Sequence, residues 1–246
     1  MDGDGYDVRS LALGFRTGAV IEEHSHAWGQ LVFAASGVMR VCTASMAWLT
    51  PPTRAIWVPA RLQHRIEMES AVAVRTLYIG AQRAAPLPQM PVVLAVTPLL
   101  RELILHILGI GMLAPHEPAQ ARLAGVLIDL LLSAGHEDLA LPLPGDPRAL
   151  KLAQHWLRQP DDERGIAALA GEAGASLRTM QRLFPQQTGM TLEAWRQKAR
   201  LLHAVSRLAG GASVTDAALA CGYHSLAAFG TAFQRQFGVS PSRYIA

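Results

Sequence analysis

Two groups of residues in this chain of 246 have types and spacings suited to chemistry. The first is Gly18-x5-His24-x-His26-x3-Gln30-x6-Gly37, followed by Pro59-x-Arg61-x2-His64. Residues 24, 26 and 30 share parity, so an extended segment sends all three side chains from one face of a sheet, and in a closed barrel that face can be the interior. On a helix, positions two apart diverge by about 200°, so the spacing suits a strand. The imidazoles of His24, His26 and His64, with the amide oxygen of Gln30, would make a mononuclear site for a divalent transition metal with room for water. Imidazole accepts Zn, Ni, Fe or Cu without choosing among them. The alternative is that the same histidines line an organic-effector pocket or face solvent. With no carboxylate among its members, the set lacks an anionic ligand and a ready general base, so it reads as sensing more than as catalysis.

The second group lies near the carboxyl end, where the chain repeats itself at an offset of 49. Ser176-Leu177, Phe184, Gly189 and Thr191 fall opposite Ser225-Leu226, Phe233, Gly238 and Ser240. In each copy a short helix (166–173 or 214–221) stops at a glycine, Gly174 or Gly222. A serine follows as N-cap, and a second helix turns aromatic or aliphatic residues inward at 180, 183 and 184 or at 226, 229 and 233. Ser213 with Asp216 adds a capping box. This pattern is helix-turn-helix, twice. A helix from Trp195 through Ala199, Leu202 and Val205 would join the copies rigidly, which matters because adjacent major grooves on one face of DNA lie about 34 Å apart. The first recognition helix presents Arg178, Thr179, Gln181 and Arg182; arginine matches the acceptor pair of guanine and glutamine matches adenine. The second offers His224, Ser225, Thr231 and Arg235 beside the apolar Leu226, Ala227 and Ala228, a set suited to thymine methyls and phosphates.

The elements that must hold these groups change character along the chain. Up to about Gly80, runs such as Gln30–Ala34, Met39–Cys42, Ala55–Pro59 and Ala73–Ile79 are short, rich in Val, Ile and aromatics, and punctuated by Gly and Pro, as in a sandwich or barrel. Trp28, Trp48 and Trp57 read as its packing. A Pro-rich stretch, Ala84 to Pro98, leads into two amphipathic helices marked by Leu100, Leu103, Ile104, Ile107 and Leu108, then by Leu123, Val126, Leu127, Leu130 and Leu131. Thr97-Pro98 has the form of an N-cap followed by proline at the first helical position. The two stripes can bury themselves against the β domain or against a second subunit as a homodimer. Leu141–Pro147 reads as a linker.

Composition narrows the function classes. With 50% hydrophobic and 17% charged residues the chain has a core to bury, which excludes general disorder. Val92–Leu113 is interrupted by Pro98, Arg101, Glu102 and His106 and makes no membrane span. The acidic Met1–Asp7 lacks the basic start of a secretory leader, so a cytoplasmic protein is expected. Cys42 and Cys221 are too few for a disulfide framework or a cysteine-only metal site. From Gly145 onward there are 12 basic and 7 acidic side chains, against 10 and 12 before it, so the basic excess belongs to the helical end and suits a polyanion. His106, His116 and His136 have no partner spacing, and no Gly-rich phosphate loop, nucleophile elbow or paired-carboxylate motif occurs.

The residues from Arg148 to Tyr244, above all Gly222-Tyr-His-Ser-Leu-Ala-Ala-Phe-Gly-Thr-Ala-Phe-Gln-Arg-Gln-Phe-Gly-Val-Ser-Pro-Ser-Arg-Tyr, resemble the DNA-binding domain of the AraC/XylS family of transcriptional regulators. The resemblance implies major-groove contacts for Arg178, Gln181 and Arg182. Pro185 departs from it by standing where the family often has a basic residue, and a proline there could kink the helix's last turn. Residues 18–79 resemble the two motifs of the cupin superfamily. That likeness implies metal-ligand roles for His24, His26 and His64, with Gln30 where most metal-binding members have Glu, Arg61 in place of a glycine and Met68 in place of an asparagine. The expected fold is α+β in two domains. A cupin-like sensor barrel spans 1–96, a helical coupling or dimerisation segment 97–140 and a linker 141–147, and an all-α double helix-turn-helix spans 148–246. The expected function is a regulator that binds double-stranded DNA and responds to a metal ion or small-molecule effector. A metal-dependent cupin enzyme, dioxygenase or isomerase, with an accessory DNA-binding domain is the alternative.

Overall fold

The computed structural model describes residues 5–244. The expectation of no secretory leader rests on Met1–Asp7, of which residues 1–4 lie outside those described. The chain divides into two compact units, Met1–Thr43 with Trp48–Leu139 and Ala44–Ala47 with Ala140–Ala246. No helix among the described residues is long and apolar enough to cross a membrane.

The first unit carries β1 (Val8–Phe15), β2 (Val20–His24), β3 (Gly29–Ser36), β4 (Met39–Cys42), all but the first two residues of β5 (Met46–Thr50), β6 (Arg54–Val58), β7 (His64–Met68) and β8 (Val72–Ile79). After these come α1 (Ala81–Ala84), β9 (Val92–Ala95), α2 (Pro98–Ile110), β10 (Met112–Leu113), α3 (Pro118–Ser133) and β11 (His136–Glu137). One antiparallel sheet has the order β10-β1-β8-β3-β6-β9-β11; in a second, β5, β4, β7 and β2 follow one another. Strand β3 is apolar almost without interruption because both of its faces are covered. Leu31 and Phe33 join Trp57, Leu77 and Ile79 in a core shared with Leu100, Ile104, Leu127 and Leu131 of the two helices. Gln30 and Val32 point to the opposite, inner face. Most of both helical stripes is buried against the sheet. Thr97 caps α2 by accepting from the Leu100 amide at 3.2 Å, with Pro98 in the first turn. The stripe of α3 is rotated from the expected one: Ala124 and Ile128 turn inward, while Val126 is exposed.

The second unit carries β12 (Ala140–Pro142), α4 (Pro147–Arg158), α5 (Ile166–Glu172), α6 (Leu177–Thr188), α7 (Leu192–Ala209), α8 (Val214–Leu219), α9 (Leu226–Phe237) and α10 (Pro241–Tyr244). The segment expected as a linker, 141–147, holds the end of a strand and the start of a helix. Leu141 and Leu143 are buried, the Trp195 indole donates to the Pro142 carbonyl at 2.6 Å, and Asp146 caps α4. The internal repeat is visible in the termini of the helices. Ser176 and Ser225 each accept the amide three residues on, at 3.2 and 3.3 Å, and Gly189 and Gly238 end the two recognition helices at φ 70° and 75°, a region that favours glycine. Helix α6 continues through Pro185 to Thr188. Leu226 is 52% exposed rather than inward, and Phe229, Ala232 and Phe233 form the inner face of α9. Helix α7, at 1.5 Å per residue, gives a rod of roughly 27 Å between the copies.

Candidate functional site

The histidine site is built by an irregularity. Strand β2 pairs with β7 as Val20↔Glu67 and Ile21↔Ile66, then as His24↔His64, so β2 holds one extra residue. Regular alternation would leave His24 on the face of Val20, away from Ile21; the bulge turns it to the face of Ile66 and His64. His26 lies beyond the end of β2, and Gln30 lies on β3 in the other sheet. The single extended strand expected from parity is therefore absent, and the four side chains meet because the two sheets face each other. Arg61 adopts φ 64°, a left-handed conformation that keeps the backbone shape of the expected glycine, and its amide donates to the His26 carbonyl at 2.7 Å. Met68, the other departure, is a buried core residue opposite Met39.

One ring nitrogen from each of the three histidines lies within 4.8 Å of the others. His24 Nδ1 faces the Glu22 carbonyl at 2.7 Å, His64 Nδ1 faces that of Leu62 at 2.9 Å, and His26 Nδ1 faces that of Trp28. A carbonyl only accepts, so in the neutral rings Nδ1 carries the hydrogen and Nε2 the lone pair. The orientation of Gln30 follows from the same accounting. Thr76 Oγ1 donates to the Leu31 carbonyl at 3.1 Å, so toward Gln30 it accepts, from Nε2 at 3.0 Å; the Tyr78 hydroxyl takes the second hydrogen at 3.2 Å. Gln30 Oε1 is left facing His26 Nε2 at 2.9 Å and His64 Nε2 at 3.2 Å. Acceptors thus face acceptors, in a place where His64 and Gln30 are almost wholly buried. At His64 a proton is a poor remedy, since burial first, and the neighbouring His24 and His26 next, push its pKa down to about 4 against the bond to Leu62. The three imidazoles, oriented by backbone carbonyls, and Gln30 Oε1 are the groups that could hold a metal ion. Thr76 and Tyr78 were not singled out from the sequence; β8 alternation puts them on one face, but their register with β3 is a tertiary fact.

On the second unit, Arg178, Gln181 and Arg182 stand exposed along α6. Among the described residues Arg182 reaches only its neighbour Gln186, at 3.1 Å, and Gln181 reaches Glu193 of α7 at 3.5 Å. Thr179 is tied to the cap, its hydroxyl 2.9 Å from that of Ser176, and Ser225 is likewise occupied as a cap. Along α9, Thr231 is exposed, and Arg235 donates to Gln197 of α7 at 3.0 Å; His224, in the preceding turn, stands 3.2 Å from Glu163. Trp156, Phe184 and Trp195 pack with centroids 5.5 to 6.1 Å apart under the first copy, and Phe229 and Phe233 at 5.6 Å under the second, so both recognition helices sit on aromatic cores.

Two capped helix-turn-helix units joined by one helix define a DNA-binding class of protein. A helix-turn-helix domain family matches residues 169–246. The transcriptional regulator NimR of Escherichia coli strain K12 is 31% identical over 223 residues, covering 91% of this chain and 81% of NimR. The transcriptional activator RhaS of Escherichia coli O9:H4 is 35% identical over 126 residues, covering 50% of this chain and 45% of RhaS. The solved DNA-binding domain of AdpA, in complex with a target DNA, is 33% identical over 41% of this chain and 90% of that one, with a TM-score of 0.38. The chain belongs to the AraC family of transcriptional regulators and is a DNA-binding protein.

Proposed function

We propose that this regulator's hold on its promoter is set by a divalent transition metal bound by His24, His26, His64 and Gln30, with an organic effector completing the metal's coordination. The observation that carries the reading is the convergence of lone pairs from Gln30 Oε1 and the histidine Nε2 atoms, a donor set that suits a cation. Among the described residues no carboxylate joins the cluster, so the set lacks the base and anionic ligand on which the enzyme alternative depends. Leu11 and Leu13 stand opposite Thr76 and Val74 on the same inner face and are 42% and 39% exposed. An effector with an apolar body would lie over them, with its donor atom on the metal.

Arg178, Gln181 and Arg182 would read bases in one major groove. In the next groove, Leu226, Ala227 and Ala228 would meet thymine methyls while Thr231, Arg235 and His224 approach the backbone. A homodimer through the central helices would draw on the exposed Leu99, Ile110, Val126 and Leu132, since most of both stripes is buried on the sheet. Signalling requires that the effector bind two arrangements of the protein with different affinities, since equal affinity shifts nothing. The test is elemental analysis of protein purified without a metal-affinity tag, beside a variant carrying His24→Ala and His64→Ala. Near-stoichiometric metal in the parent and none in the variant is expected, and equal metal in both would refute the site.

A further inference from the structure

Helix α7 carries Glu193, Arg196, Gln197 and Arg200 on one face, and with Ile166 and Tyr223 they line a surface hollow. Side chains of both recognition helices reach this stretch: Gln181 meets Glu193 at 3.5 Å and Arg235 meets Gln197 at 3.0 Å. The hollow therefore lies at the seam between the two probes. Arg196 lies over the Trp156 ring, 5.3 Å from its centroid, and donates from Nη2 to the Asp162 carbonyl, while Arg200 Nε donates to the Pro160 carbonyl at 2.9 Å. Carbonyls fix these guanidiniums without cancelling their charge, and among the described residues neither arginine stands within ion-pair distance of a carboxylate. The Asp162 carboxylate is committed to Arg164 and His155, each at 2.7 Å. Arg196 Nε is buried and has no partner among the described residues. Burial first, and Arg200 second, make its positive charge harder to hold, against the opposing pull of the Asp162 carboxylate. Two fixed cations, one turn apart in a hollow and with no carboxylate at ion-pair distance among the described residues, suit an anion.

We infer that this hollow seats a phosphate of the DNA backbone, gripped by Arg196 and Arg200, where the strand crosses between the two major grooves. The inference rests on the DNA-binding roles proposed for α6 and α9. A duplex engaging both helices has to carry its backbone across the seam, and a phosphate there positions the protein without reading sequence.

The test uses the full chain and a duplex that it selects from a random-sequence library. The slope of log K against log salt is measured for wild type and for the R196Q/R200Q variant, on this duplex and on copies with one phosphate at a time replaced by uncharged methylphosphonate. Neutralising one phosphate between the two grooves should flatten the wild-type slope by about 0.9. The variant should show the same flattening on unmodified DNA, no further change on the modified copy, and unaltered base preference. Because the methylphosphonate arm uses unaltered protein, it stands even if the variant folds poorly. No sensitive phosphate between the grooves, or a variant that still responds to the modification, would overturn the seat. Inorganic phosphate that saturates the DNA-free protein at micromolar concentration would assign the hollow to a free anion instead. Failure to select any duplex would overturn the DNA-binding roles themselves.

Discussion

Thr76→Val isolates the orientation of Gln30 from everything else in the cluster. Threonine and valine are nearly isosteric, so packing is kept, but the hydroxyl that accepts from Gln30 Nε2 at 3.0 Å and donates to the Leu31 carbonyl at 3.1 Å is lost. Gln30 is then held only through Tyr78, at 3.2 Å, and its amide can turn so that a hydrogen donor, in place of Oε1, faces His26 and His64. Loss of one such bond is worth about 1 kcal/mol of orientational preference, and the orphaned buried groups add about 1–3 kcal/mol of destabilisation. Removing an outer partner of this kind weakens metal binding about 10- to 100-fold. Competition against a chelator of known affinity, with Zn and Ni in turn, measures that loss, and a thermal melt of the metal-free protein measures the stability cost. Thr76→Ser, which restores the hydroxyl, should recover metal affinity. Unchanged affinity in the valine variant, with the fold intact, would refute the orientation argument and with it the reason for reading the cluster as a cation cage.

Three further outcomes follow from the same geometry. Arg182→Ala should cost about 1–3 kcal/mol on the selected duplex and relax preference at one base position; unaltered binding in a gel-shift titration would remove it from the reading face. Gly29→Ala should destabilise the β unit by roughly 1–3 kcal/mol, since the added carbon would stand 2.1 Å from Cη2 of Trp57, and a denaturant midpoint equal to wild type would show that the ring can give way. In metal-free protein, His64 titrates near 4 when folded against an ordinary 6.5. The unfolded chain thus binds the extra proton between those values, and stability falls as pH drops through that window. Melts that are flat from pH 7 to 4 in wild type, or equally sloped in His64→Gln, would contradict this.

Much of the fold was legible because it is written locally. Serine caps, the glycines that end helices and the 49-residue offset are short-range signals, and they placed both helix-turn-helix units. The strand runs around Gln30, Met39, Ala55 and Ala73 were equally plain. Leu141–Pro147 was not, because proline and glycine mark a strand end or a helix start as readily as a free linker, and only the packing of Leu141 and Leu143 tells them apart. Leu226 was misplaced for the opposite reason: an apolar residue at helical spacing looks like core whether or not a partner lies over it.

The histidine cluster divides along the same line. Residue types and spacing named its four members, and that much belonged to the sequence. Their convergence was decided by tertiary structure, through a one-residue bulge that turns His24 inward, a turn that carries His26, and a facing sheet that supplies Gln30. The tautomers and the direction of the amide were settled further out, by carbonyls of Glu22, Trp28 and Leu62 and by Thr76 and Tyr78. Strand register and hydrogen-bond direction depend on which distant segments pair, and no local pattern of side chains encodes that.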